Sequence, residues 1–149
     1  MESLRWQMSH SLRSGLPLTV MSLDLDHFKS INDTWGHAAG DDVLRGFSSL
    51  LAAVTREVDL CGRFGGEEFI VVLPDTNADG GCVVGERLRR RLGETPMAVS
   101  KKESLTVTVS AGLASLQPGD TVESILNRVD RALYQAKQNG RDRLCVSEE

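Results

Sequence analysis

Arg63-Phe64-Gly65-Gly66-Glu67-Glu68-Phe69-Ile70-Val71-Val72-Leu73 decides the fold of this chain. Two adjacent glycines separate an aromatic-ended run from a run of β-formers. Gly-Gly is a strong hairpin signal, because both central residues of a type I′ turn need positive φ. The pair therefore predicts a turn at Gly65-Gly66 within a hairpin from about Leu60 to Leu73. A turn bare of side chains also lets another backbone or a ligand approach closely. Successive strand side chains point to opposite faces, so Glu67 and Glu68 cannot do the same job. In one reading, one of them faces the core side or a metal while the other faces a ligand. The plainer alternative is a surface hairpin carrying solvated acids.

Around that hairpin lies a chain of 149 residues, enough for one domain with its own core. An apolar content of 40% with 26% charged residues is that of a globular chain. No apolar run approaches the ~20 residues that span a bilayer, and residues 1–14 lack the apolar centre of a signal peptide. The expected location is cytoplasmic, with tethering of a longer protein to a membrane left open. Cys61, Cys82 and Cys145 are irregularly spaced and fit no disulfide framework or zinc pattern, so they read as buried reduced thiols. A net charge of −4 argues against a general nucleic-acid surface, although Arg87, Arg89, Arg90 and Arg91 crowd together.

Residues 2–13 look helical and read as beginning mid-element, which predicts a fragment of a longer protein. Gly15-Leu16-Pro17 ends that helix. Residues 18–25 read as a strand buried on both faces. It ends in Asp24-Leu25-Asp26, and acids at a buried strand terminus need a reason. Residues 27–37 read as a polar connection. Val43, Leu44, Phe47, Leu50, Leu51 and Val54 then recur at helical spacing, with Asp41 and Asp42 near the helix start. After the hairpin come a helix carrying Val84, Leu88 and Leu92, a short strand at 97–99 and an alternating strand at 105–111. A helix capped by Asp120 or Thr121 and ended by Gly140 follows, then a last strand at 144–146. A hairpin inside a βα alternation predicts an α+β fold: a ferredoxin-like or palm-type, mostly antiparallel sheet flanked by helices.

Four groups of residues carry chemistry. Asp24 with one of Glu67 or Glu68, helped by the Leu25 carbonyl, would make a hard-oxygen site for Mg²⁺; the plainer role of Asp24 is a turn cap. Lys29, Asn32 and Asp41 offer a donor and acceptors that suit guanine, though each is commonly a turn former or cap. Lys137 and Arg141 bracket Gly140, as a phosphate clamp or as compensation of a helix dipole. Arg56 and Asp59 could pair with a guanine or with each other.

Together these residues resemble the GGDEF family of diguanylate cyclases. The resemblance runs from Leu18 to Val146 through Asp24-Leu25-Asp26-His27-Phe28-Lys29-Ser30-Ile31-Asn32-Asp33, Gly36-His37, Gly40-Asp41, the Arg63–Phe69 hairpin, Pro74-Asp75-Thr76, Glu86-Arg87 and Ala132–Lys137 with Gly140-Arg141. The signature here is the GGEEF variant. The resemblance implies a palm-like core shared with nucleotide cyclases, and synthesis of cyclic di-GMP and two pyrophosphates from two GTP by a homodimer in bacterial signalling. It implies that Asp24, the Leu25 carbonyl and Glu68 hold Mg²⁺ or Mn²⁺. Asn32 and Asp41 would read guanine, Gly65 and Gly66 would lie against the nucleotide, and Lys29, Lys137 and Arg141 would contact phosphates. Glu67 would be the general base at the ribose 3′-hydroxyl. Arg56 and Asp59, with Arg87, would form an inhibitory site for cyclic di-GMP. The chain as a whole would be the catalytic domain of a protein whose regulatory part lies outside it. The family's usual D-x-L-T-G-L-x-N segment before the first helix is absent. A silent cyclic di-GMP receptor module is the alternative reading, and a GTP-binding regulator of a phosphodiesterase a third.

Overall fold

The computed structural model describes residues 2–148. Helix α1 (Glu2–Ser14) leads into strand β1 (Leu18–Leu25), followed by helices α2 (Phe28–Trp35) and α3 (His37–Val54). Strands β2 (Leu60–Gly65) and β3 (Glu68–Pro74) form the hairpin, and helix α4 (Ala78–Glu94) follows. Then come β4 (Met97–Ala98), β5 (Ser104–Leu105), β6 (Val109–Ser115), helix α5 (Val122–Gln138) and β7 (Arg143–Val146). Five strands form one sheet in the order β2-β3-β1-β6-β7, while β4 and β5 make a separate ribbon. Only the β6–β7 pairing in the large sheet is parallel. This is the expected α+β architecture, a mostly antiparallel sheet between helices.

Strand alternation divides the core between the two faces of the sheet. Met21, Leu23 and Leu25 of β1 join Phe69, Val71 and Leu73 of β3 in one cluster under α2, α3 and α4. Phe47 of α3 meets Phe69 edge-on, with ring centroids 4.8 Å apart. Leu18 and Val20 join Val72, Ala114, Ile125 and Val129 in a second cluster, which α1 closes with Leu4 and Met8. Asp24 and Asp26 continue the register of Leu18 and Val20, so both lie on the α5 side of the sheet.

Several expectations are corrected. The connection after β1 contains helix α2, in which Phe28 and Ile31 are buried. Helix α3 starts at His37, so Asp41 and Asp42 lie in its second turn, beyond the main reach of the dipole. The strand expected at 105–111 is displaced. Leu105 pairs with Met97 in the small ribbon, and the sheet strand runs over Val109–Ser115, buried on both faces between β1 and β7. Thr121 caps α5 through a capping box with Ser124. The cysteines are free thiols but not buried: Cys61 is exposed, and Cys82 and Cys145 are partly so. No described helix is long and apolar enough to cross a membrane.

Candidate active site

The hairpin turn differs from the expected one. Its two connecting residues are Gly66 and Glu67, and Gly65 sits at a register shift opposite Glu68. Gly65 has φ 141° and Gly66 φ 47°, whereas Glu67 has no positive φ. One glycine thus serves the turn and the other the bulge. A Cβ on either would meet no atom within 4 Å. Backbone geometry demands these glycines, and the space above them is open to a ligand. The turn is held from both sides: the Leu25 amide donates to the Glu67 carbonyl at 3.3 Å, and Arg63 Nε donates to the Gly66 carbonyl at 2.8 Å.

The β1–β3 register places Asp24 directly opposite Glu68, with both carboxylates on one face. Lys137, in the last turn of α5, reaches over and donates from Nζ to Asp24 Oδ2 at 2.5 Å. Burial pushes the Asp24 carboxyl above its usual range; Lys137 opposes the rise, and Glu67 and Asp26 add to it. Burial, then the Asp24 charge, likewise raises Glu68, which also feels Asp130 of α5. Asp24 and Glu68 therefore share a partly desolvated corner with the Lys137 ammonium group.

Among the described residues no three His, Cys, Asp or Glu side chains are arranged to hold a metal by themselves. The donor set nevertheless fits Mg²⁺, which uses one or two carboxylates and completes its shell with water and phosphate oxygens. Two facing carboxylates whose ionisation is hindered beside open space are chemically suited to such a cation.

Behind β1, the nucleotide-reading candidates divide. His27 precedes α2 in a left-handed conformation and makes no side-chain cap, so the first amides of α2 have no cap from it, and Lys29 beside them is exposed. Asn32 Oδ1 is buried and has no hydrogen-bond partner. It packs against Gly40 of α3, where a Cβ would lie 1.9 Å from Oδ1. Asp41 is exposed on the next residue and lines a cleft with Arg45, Ser48 and Arg63. The Asn32 Oδ1 is thus a buried acceptor lacking its complement.

Arg56 and Asp59 are together, but with each other. Arg56 Nη2 donates to Asp59 Oδ1 at 2.8 Å, and the Arg56 amide donates to Oδ2 at 2.6 Å. Arg56 Nη2 also reaches the Pro74 carbonyl at 2.7 Å and Thr76 Oγ1 at 3.0 Å. The Asp59 side chain is only 1% exposed, against 52% for Arg56. Of the two readings of this pair, the structure shows the mutual one, with internal donors on the Asp59 carboxylate. The cleft beside the pair holds about 640 Å³ and is lined by Leu51, Thr55, Glu57, Cys61 and Arg63, among others. Arg87 lies in a separate cleft on α4 with Arg90 and Arg91. Arg89 is held by ion pairs: it meets Glu86 at 2.9 Å and Asp142 at 3.1 Å.

A profile of the family described as "Diguanylate cyclase, GGDEF domain" matches residues 1–143. The chain belongs to the GGDEF domain family. Among curated relatives, the diguanylate cyclase DgcP of Pseudomonas aeruginosa is 42% identical over 146 residues, covering 98% of this chain and 22% of that protein. The response regulator PleD of Caulobacter vibrioides is 45% identical over 130 residues, covering 86% of this chain and 29% of PleD. This GGDEF domain thus spans less than a third of either relative. Among solved structures, the GGDEF domain of DgcB from Caulobacter crescentus in complex with c-di-GMP superposes with a TM-score of 0.94 at 33% identity, covering 99% of this chain and 88% of that one. The active GGEEF domain of a Vibrio cholerae diguanylate cyclase superposes with a TM-score of 0.90 at 38% identity, covering 96% and 90%.

Sequence reasoning missed two parts of this GGDEF domain's site. It did not pair Lys137 with Asp24, which lies 113 positions away. Nor did it see that Asp26 is the hub of a buried hydrogen-bond cluster with Thr108 and Ser110. The acid at a strand terminus was the available signal for the second.

Proposed function

We propose that this domain is half of a diguanylate cyclase active site and condenses two GTP into cyclic di-GMP and two pyrophosphates. The observation that carries the reading is the facing Asp24–Glu68 pair beside the open Gly65-Gly66 turn. Asp24, the Leu25 carbonyl and Glu68 would hold Mg²⁺ or Mn²⁺. When bound, the cation would neutralise triphosphate charge and favour ionisation of the attacking hydroxyl. Asn32 and Asp41 would meet the guanine edge, giving the buried amide its missing partner. Lys29 and the open α2 amides would hold phosphates, with Lys137 and Arg141 from the opposite side. Lys137 would exchange Asp24 for phosphate when nucleotide and metal arrive. Glu67, on the turn, would take the proton of the ribose 3′-hydroxyl.

In each half reaction that 3′-oxygen attacks the α-phosphorus of the facing GTP. The α–β phosphoanhydride bond breaks and pyrophosphate leaves with the electron pair. One domain carries one nucleotide, so two domains must face each other across a two-fold axis. We place the arrangement of those domains with a regulatory part outside this chain. Product inhibition would use the exposed Arg56 guanidinium, oriented by Asp59, with Arg87 in its separate cleft serving as the contact of a second domain on the same cyclic di-GMP.

Incubation with GTP and Mg²⁺, with and without fused dimerising helices, tests the reading. Cyclic dinucleotide and two pyrophosphates per product are expected from the dimer, and Glu68→Gln should abolish both while lowering divalent-ion affinity. Nucleotide binding without turnover in the forced dimer would instead mark a receptor module.

A further inference from the structure

Asp26 is only 3% exposed, yet it is not one of the residues proposed to touch nucleotide or metal. Its Oδ2 accepts from Thr108 Oγ1 at 2.7 Å and from the Asp142 amide at 3.0 Å. Its Oδ1 accepts from Ser110 Oγ at 2.7 Å and lies 3.7 Å from Arg141 Nη1. The loop it grips is strained: Arg141 and Asp142 are successive non-glycine residues with φ 65° and 46°. Such conformations persist only where surrounding contacts enforce them, and they cluster at functional sites. Arg143 Nε to the Arg141 carbonyl at 2.9 Å and Arg89 Nη1 to Asp142 Oδ1 at 3.1 Å secure the same loop. Asp26, one residue past β1, continues the face of Asp24, so Lys137 stands over the first acid and Arg141 beside the second.

We infer that Asp26 is a positioning residue: it clamps the 140–142 loop in its left-handed turn and so aims the Arg141 guanidinium at the terminal β- and γ-phosphates, which GMP lacks, of a nucleotide bound beside Asp24. The inference rests on the phosphate-binding reading above but not on turnover. It predicts that Asp26 acts through Arg141 alone. An asparagine at 26 keeps the volume but replaces one oxygen with a donor. The Thr108 and Ser110 hydroxyls can turn to accept from it. The Asp142 amide and the Arg141 guanidinium cannot, so one of them faces a donor whichever way the amide lies.

The test is a binding cycle in Mg²⁺ with GTP and with GMP, on the wild-type chain, Asp26→Asn, Arg141→Ala and the double variant. Asp26→Asn should weaken GTP by about tenfold while leaving GMP unchanged, and the double variant should be no weaker than Arg141→Ala. Additive losses, or equal losses for GTP and GMP, would overturn the inference. A ligand-free measurement stands beside it. Asp26→Ala should speed hydrogen exchange at the Asp142 amide about tenfold while the Val71 amide stays protected, and unchanged exchange at Asp142 would also overturn it. If the alanine variant does not fold, the asparagine cycle decides. Loss of cyclic dinucleotide synthesis in the wild-type dimer, with the binding cycle intact, would reject the cyclase reading and leave this one standing.

Discussion

Gly40→Ala is the sharpest probe of the proposed base-reading corner. A Cβ at position 40 would stand 1.9 Å from Asn32 Oδ1, 3.0 Å from Asn32 Cγ and 3.2 Å from Phe28 Cζ. The Asn32 amide must therefore swing away, because the alternative is to part α2 from α3. Two terms bear on stability. Alanine gains about 1 kcal/mol over glycine inside a helix, and overpacking costs about 1–3 kcal/mol. The net loss is then at most about 2 kcal/mol, a fall in Tm of roughly 4–8 °C for a chain of this size. Binding should suffer more in proportion. An amide displaced from the guanine edge loses up to two hydrogen bonds at about 0.5–1.5 kcal/mol each, so GTP affinity should fall on the order of five- to a hundredfold. Calorimetric titration of GTP with Mg²⁺, paired with thermal melts, measures both terms. Asn32→Ala should give a similar loss, and the double variant should add little. A folded Gly40→Ala protein that binds GTP within about twofold of wild type would refute the reasoning.

The remaining predictions concern charge. Burial raises Asp24 and Glu68, so the native state holds their protons to higher pH than the unfolded chain does. Stability without metal should fall as pH rises from the ordinary carboxylate range through those raised values, and the penalty is complete above them. Mg²⁺ should offset it, so the metal-induced rise in Tm should be larger at about pH 7.5, well above the ordinary carboxylate values, than at about pH 4.5, close to them; an equal rise at both would contradict the assignment. Lys137→Ala removes the ammonium that would compete with the proposed cation at Asp24. Mg²⁺ affinity without nucleotide should rise severalfold while GTP affinity falls, as titration would show. Arg56→Ala should relieve inhibition by cyclic di-GMP with little change in initial rate, whereas Asp59→Ala should also lower Tm, because it strands the Arg56 amide. Retained tight product binding in Arg56→Ala would count against that site.

Much of this was legible in one dimension, because local rules carry it. The hairpin, the apolar stripes of α3 and α5 and the apolar run that buries both faces of β1 are short-range patterns, and each appears as an element in the fold. The failures are equally physical. Helix α2 was obscured because only Phe28, Ile31 and Trp35 mark its buried side among polar residues of modest helix propensity. Thr106 to Ser110 alternate like a strand, yet pairing partners, not alternation, choose where β6 begins.

The sequence by itself determined the α+β order, the bare turn and the family, since these depend on residue types at fixed spacing. Tertiary structure alone decided which charges meet. Lys137 reaches Asp24, and Asp26 grips the 140–142 loop. Hydrogen bonds and Coulomb forces act over a few ångströms of space, and no periodicity along a chain encodes contacts between residues more than a hundred positions apart.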